Sequence, residues 1–84
     1  MKRIKLNEYN PDMGVLIDVQ HPEDYMKNPT LGSINIYADK LLFNSKSYLD
    51  FSKRYYIICN KGFLSQKVVA YLEYLGYNVT QVLH

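Results

Sequence analysis

Short runs of consecutive apolar residues alternate along this chain with polar and turn-forming segments. Residues 15–19 follow a glycine, and residues 55–59 end at a polar loop that contains another glycine. Such runs, rich in β-branched and aromatic residues, predict strands buried on both faces, which are typical of parallel sheets. The alternating segment at residues 77–83 predicts a third strand. Two shorter strands are predicted at residues 34–36 and, at an edge of the sheet, at residues 4–6.

After Ser65 the apolar residues change from strand-like runs to helical spacing. They are Val68, Val69, Leu72 and Leu75. Gly76 follows them, where the end of a helix favours a left-handed residue. The last third of the chain is therefore predicted to be strand, loop, helix and strand, joined by a right-handed crossover. Shorter helices are predicted at residues 22–26, 39–43 and 45–52.

The size and composition predict one domain spanning residues 1–84. The chain has 84 residues, of which 48% are hydrophobic. Chains of this size bury only about 60 to 65% of their unfolded surface, so a second core is excluded. One cysteine cannot close an internal disulfide, and one cysteine with two histidines is too few for a tetrahedral metal site. Neither a metal nor another cofactor is expected.

The charge and hydropathy give little reason to expect nucleic acid or a membrane as a partner. The net charge is only +2, and the basic residues are scattered along the chain. No stretch approaches the ~20 apolar residues that a membrane span requires, and no apolar run of signal-peptide length follows the basic start. A cytoplasmic location, where a thiol stays reduced, is the prediction.

The only thiol, Cys59, stands at the carboxyl end of a predicted buried strand, just before a helix. Open α/β sheets carry their active sites at that edge. Main-chain N–H groups of the loop and the first helical turn have no intrahelical partner, so they favour a thiolate there. Gly62 lets the backbone curl close to the sulfur, and Lys61 adds a cation. Position alone fits equally well a small buried apolar side chain at the end of a strand.

Three segments of the chain carry motifs that occur together, in this order, in one protein family. Residues 16–25 (LIDVQHPEDY) are similar to the pattern L-I-D-V-R-x-P-x-E-Y, with Gln20 in place of the arginine. Residues 31–36 (LGSINI) are similar to I-P-G-A-I-N-I-P, without the usual Gly-His before it. Residues 56–65 (YIICNKGFLS) match a strand, a catalytic cysteine, a loop glycine and a serine that opens a helix. With these three segments the chain resembles the single-domain rhodanese-like proteins.

The resemblance implies an α/β fold: a small, doubly wound parallel sheet of about five strands, flanked by helices on both faces. It implies a sulfurtransferase in which Cys59 takes sulfane sulfur from thiosulfate or a persulfide and passes it to cyanide, a small thiol or a protein acceptor. The six-residue loop at residues 59–64 would surround the thiolate, and its N–H groups would stabilise the persulfide anion. The predicted substrate-binding residues are Asn60, Lys61, Gly62, Phe63, Leu64 and Ser65.

The loop departs from the family pattern because it has no arginine. Lys61 is its only cation, so capture of a dianion such as thiosulfate is expected to be weak. An organic or protein persulfide that contacts Phe63 is favoured instead. Phosphatases of the same fold bind phosphate through a loop arginine that forks onto two oxygens, and neither asparagine nor leucine can replace it. Phosphatase activity is therefore not expected.

Four other residues are interpreted conservatively. Asp18 is assigned a structural role, and Ser65 is expected to cap the helix through its hydroxyl. His21 and His84 are expected to be solvated and to have no role in a site.

The rival function is a non-catalytic rhodanese-like module that binds a partner or senses oxidation. The chain is expected to be a monomer or a weak homodimer, because the segment before residue 15 is too short to cover the sheet with a full helix.

Overall fold

The computed structural model describes residues 1–84 and contains one five-stranded sheet. Every pair of neighbouring strands in the sheet is parallel. The strand order is β1-β5-β4-β2-β3. The strands are β1 (Arg3–Lys5), β2 (Val15–Asp18), β3 (Ile34–Asn35), β4 (Arg54–Ile58) and β5 (Asn78–Leu83). The helices are α1 (Pro22–Lys27), α2 (Ala38–Asn44) and α3 (Phe63–Tyr74). The predicted α/β fold with a parallel sheet is confirmed, and β1 lies at an edge as predicted.

The two faces of the sheet are covered differently. Alternate residues of the strands point to opposite faces, and helices α2 and α3 pack on the face that carries Ile17 and Ile57. The other face carries Leu16 and Ile58, which pack beneath single turns of 3₁₀ helix at Leu6–Glu8 and Pro11–Met13. The segment between β1 and β2 has room only for these turns.

Helix α3 ends in the left-handed turn that its sequence predicts. Gly76 has φ +101°. The amide of Tyr77 donates to the carbonyl of Leu72, and the amide of Gly76 donates to that of Glu73, both at 3.0 Å. This pair of bonds is a Schellman motif, which satisfies two of the last carbonyl groups of the helix. The turn directs the chain back into β5 beside β4.

The prediction of a helix at residues 45–52 was wrong beyond its first turn. Only Ser45–Ser47 is helical, as one turn of 3₁₀ helix. The Asp50 carboxylate accepts hydrogen bonds from the amide and the hydroxyl of Ser52, at 2.8 and 2.7 Å. These two bonds hold the pKa of Asp50 below its usual value. Local bonds of this kind compete with helix formation, so a turn forms there.

The register of the sheet brings distant segments to one edge. Asp18 at the end of β2 is paired with Ile58 at the end of β4, and the Val19 amide donates to the Ile58 carbonyl at 3.0 Å. The chain leaves β2 toward β3 on one side, whereas β4 lies on its other side. The residues after β2 and after β4 therefore meet at the carboxyl edge, where such sheets hold their ligands.

Candidate active site

A tight loop connects β4 to α3 and contains the only thiol. The loop comprises residues 59–62, and α3 begins at Phe63, two residues earlier than predicted. Gly62 is the N-cap residue of α3 and has φ +83°, a left-handed conformation that side chains disfavour. A Cβ atom at Gly62 would meet no atom within 4 Å. The glycine is therefore needed for its backbone conformation, and not for the close approach that the sequence predicted.

The sulfur of Cys59 is held by one main-chain amide. The Ser65 N–H donates to Cys59 Sγ at 3.1 Å, and the residue is only 4% exposed. The amides of residues 60–64 donate to no other protein group. Of the ring of amides expected around the sulfur, one is in hydrogen-bond contact with it. The others are free to bind negative charge on a ligand, as unpaired N–H groups at the start of a helix do.

Ser65 does not cap the helix, which corrects the interpretation from sequence. Its hydroxyl donates to the Gly62 carbonyl at 3.2 Å, inside the first turn, and the residue is fully buried. The N-cap position belongs to Gly62, which has no side chain that could accept a hydrogen bond. Ser65 acts on the sulfur through its amide, and its side chain faces the protein interior.

A buried glutamine that sequence reasoning did not single out supports the loop from below. Gln81 of β5 is 2% exposed, and its Nε2 donates to the Gly62 carbonyl at 3.0 Å and to Ser65 Oγ at 3.1 Å. Its Oε1 accepts a hydrogen bond from Arg3 Nε at 3.0 Å. A glutamine among β-branched residues in a strand that is predicted to be buried is a sequence signal that could have identified it. Gln81 thus ties the left-handed turn to the sheet.

A cleft of about 350 Å³ opens beside the sulfur. Five of the seven predicted site residues line it: Cys59, Asn60, Lys61, Phe63 and Leu64. Gly62 and Ser65 do not. The opposite wall contains four residues that sequence reasoning did not assign to a site: Gln20, His21, Asp24 and Tyr37. They follow β2 and β3, and only the alignment of strand ends places them near Cys59.

Both histidines are exposed, as the sequence predicted, and each lines a cavity that Cys59 also lines. His21 accepts a hydrogen bond from the Glu23 amide through Nδ1 at 3.2 Å and so caps α1. Its ring meets that of Tyr37 edge-on, with centroids 5.2 Å apart. His84 lines a second cavity, of about 230 Å³, between the loop and the end of β5. This cavity also borders Cys59.

Asp18 has the structural role that the sequence indicated. Its carboxylate accepts hydrogen bonds from the amide of Gln20 at 3.0 Å, from Gln20 Nε2 at 2.8 Å and from Thr30 Oγ1 at 2.7 Å. These three donors satisfy a group that is completely buried. The carboxylate therefore fixes the segment after β2, which forms one wall of the cleft, and does not touch the cleft itself.

Replacing Gly62 by alanine is expected to slow the alkylation of Cys59 by iodoacetamide about tenfold, because relaxing the left-handed turn displaces the amides that follow it. Gly32→Ala is the matched control, since Gly32 has φ +81° and equally open surroundings but lies away from the cleft. Both variants should lose about 1 kcal/mol in the free energy of unfolding, measured in urea. Equal alkylation rates in the two variants would show that the turn does not position the site.

Two further observations concern the chemistry available. No group of three or more His, Cys, Asp or Glu side chains is arranged to hold a metal ion. No helix combines the length and the apolar character needed to cross a bilayer. The chemically distinctive group at the carboxyl edge is thus the thiol, with a cation, free amides and aromatic rings around it.

Comparison with known proteins identifies the fold. A family model, Rhodanese-like domain, matches residues 3–84. A rhodanese-related protein from Thermoplasma volcanium is 30% identical, with a TM-score of 0.84 over 99% of this chain and 84% of that chain. A rhodanese-like domain protein from Staphylococcus aureus is 30% identical, with a TM-score of 0.79 over 99% of this chain and 85% of that chain.

A more distant structure has the same fold. The human single-domain sulfurtransferase TSTD1 is 16% identical, with a TM-score of 0.77 over 99% of this chain and 88% of that chain. No curated protein is significantly similar to the chain in sequence. The range matched by the family model includes the motifs around Asp18, Gly32 and Cys59. The chain therefore belongs to the rhodanese-like family, as its sequence predicted.

Proposed function

We propose that this protein is a sulfurtransferase in which Cys59 carries sulfane sulfur as a persulfide. One observation carries the proposal: the Cys59 sulfur accepts the Ser65 N–H at the edge of an open cleft. A main-chain donor directed at a sulfur stabilises its negative charge without any reorganisation during the reaction. Membership of a family that works with sulfur donors and acceptors supports the same chemistry.

The reaction proceeds in two displacements. The Cys59 thiolate attacks the terminal sulfur of a persulfide, R–S–S–H, and forms a new S–S bond. The bond between the two donor sulfurs breaks, and its electron pair leaves with the R–S⁻ thiolate. The transferred sulfur then releases its proton to solvent, which leaves Cys59 as the persulfide anion Cys–S–S⁻. An acceptor thiolate then attacks that outer sulfur and Cys59 returns to a thiolate. With thiosulfate the leaving group is sulfite, and with cyanide as acceptor the product is thiocyanate.

The loop residues have distinct parts in this proposal. The free amides of residues 60–64 receive the negative charge of the outer sulfur and of the donor. Lys61 attracts anionic donors, whereas Phe63, which is 80% exposed, contacts the organic part of a persulfide. Ser65 takes part through its amide. The partners are a small sulfur donor and a thiol acceptor, free or on a protein, in a reducing cytoplasm.

The mass of the intact protein tests the proposal directly. After incubation with thiosulfate or an organic persulfide and removal of the donor, we expect the mass to rise by one sulfur atom. Fragmentation should locate that atom on Cys59, and cyanide should remove it with formation of thiocyanate. An unchanged mass with every donor would reject the proposal.

A second candidate is a non-catalytic module that senses oxidation or binds a partner. The lack of a loop arginine favours it. In that case the mass should not change with sulfur donors, and if the module senses oxidation the mass should rise by oxygen atoms after treatment with peroxide. The same measurement therefore separates the two candidates.

A further inference from the structure

The cleft beside Cys59 is lined by two segments that carry opposite charges. The segment after β2 contributes Asp24, and the cysteine loop contributes Lys61. A ligand in the cleft can therefore meet a negative group from one segment and a positive group from the other.

Neither charged group of the cleft is used inside the protein. Asp24 and Lys61 are both exposed, and the only ion pair in the structure joins the Met1 amino group to Glu73. One free carboxylate and one free ammonium group thus line the same cleft, and their charges cancel. A dianion is attracted by Lys61 but repelled by Asp24, whereas a zwitterion can meet both.

The size and the apolar surface of the cleft define the rest of the ligand. Its volume of about 350 Å³ is at the lower end of small-molecule sites. Tyr37, Phe63 and Leu64 offer surface to a short hydrocarbon chain, and the face of an aromatic ring also attracts an ammonium group. A small organic thiol with one positive and one negative group matches these features.

We propose that the sulfur acceptor is a zwitterionic amino-acid thiol of about the size of cysteine. Its ammonium group lies at the Asp24 wall and its carboxylate at Lys61. The inference rests on the proposed function, because it requires a persulfide on Cys59. The acceptor thiolate attacks the outer sulfur, forms an amino-acid persulfide, and the electron pair of the broken S–S bond returns to Cys59.

Four thiols that differ in charge test this assignment. The protein is loaded with sulfur from polysulfide, the reagent is removed, and the loss of the persulfide is followed in a single turnover. The acceptors are cysteine, cysteamine, 3-mercaptopropionate and 2-mercaptoethanol. For each thiol, the rate constant of the native protein is divided by the rate constant of the variant. The intrinsic reactivity of the thiol cancels in this ratio.

All effects are expressed relative to the effect of the same variant on 2-mercaptoethanol, the thiol without a second charged group. On that scale, Asp24→Asn should slow transfer to cysteine and cysteamine about two- to fivefold and speed transfer to 3-mercaptopropionate, whose carboxylate Asp24 repels. Lys61→Gln should slow transfer to cysteine and 3-mercaptopropionate by a similar factor and speed transfer to cysteamine, whose ammonium group Lys61 repels. Glu23→Gln and Lys67→Gln are the controls, because these exposed residues carry the same charges outside the cleft.

The outcomes separate this inference from the function on which it rests. A protein that takes up no sulfur overturns both. Normal loading, followed by equal effects of Asp24→Asn and Lys61→Gln on all four thiols, overturns only the assignment of the acceptor. Equal effects in the two control variants would also overturn it, because they would reflect the overall charge of the protein.

Discussion

Replacing Cys59 by serine is expected to lower kcat/KM for sulfur transfer by about a thousandfold or more. The serine hydroxyl cannot form a persulfide, and removal of a covalent nucleophile eliminates the pathway that splits the reaction into two displacements. The rate is measured with an organic persulfide as donor and cyanide as acceptor, by the formation of thiocyanate. The residual rate should equal that of the reagents without protein.

The substitution should leave the fold intact, which makes the result interpretable. Serine is close to cysteine in size, and its oxygen can accept the Ser65 N–H that Sγ accepts in the native protein. The free energy of unfolding in urea should therefore change by about 1 kcal/mol or less. Sulfur transfer by Cys59→Ser at the native rate would assign the chemistry to another group and reject the proposed function.

Removing the amide that contacts the sulfur is expected to have the second largest effect. Ser65→Pro deletes the only main-chain N–H within hydrogen-bond distance of Cys59 Sγ. Because Ser65 lies in the first turn of α3, its N–H has no intrahelical partner, and proline is tolerated there. Loss of one preorganised donor should lower kcat about 100-fold and slow the alkylation of Cys59 by iodoacetamide at neutral pH.

Ser65→Ala is the matched variant, because it removes the hydroxyl and keeps the amide. It breaks the contacts with the Gly62 carbonyl and with Gln81 Nε2, so some stability is lost, but the N–H to the sulfur remains. Alkylation should slow in Ser65→Pro only. If the two variants slow equally, the hydroxyl and not the amide controls the sulfur. The urea midpoint of both variants shows how much of the loss is unfolding.

Local patterns in the sequence were sufficient to predict the architecture. The apolar runs that became β2 and β4 have no polar face. Their side chains can therefore be buried only in a sheet that is covered on both sides, as parallel sheets are. The helical spacing after Ser65 and the glycine at its end predicted α3 and its left-handed turn. The position of Cys59 between strand and helix followed from the same two patterns. The exception was the helix predicted at residues 45–52. There, hydrogen bonds from Ser52 to the Asp50 carboxylate form a turn instead.

The other half of the cleft could not be read from the sequence. Gln20, His21 and Asp24 lie far from Cys59 along the chain, and their proximity follows from the pairing of Asp18 with Ile58. The sequence predicted correctly that His21 is exposed, but it gave no sign that this residue lines the same cleft as Cys59. Gln81 is a comparable case, since its hydrogen bonds to the loop follow from the pairing of β5 with β4.

The sequence by itself determined the family, the parallel sheet and the place of the thiol at the carboxyl end of β4, because each depends on residues that are neighbours along the chain. Only the tertiary structure decided what surrounds that thiol: the Ser65 amide on the sulfur, the Gln81 side chain beneath the loop, and a cleft lined by both Asp24 and Lys61. These contacts join residues on different strands and helices, so strand order and register create them.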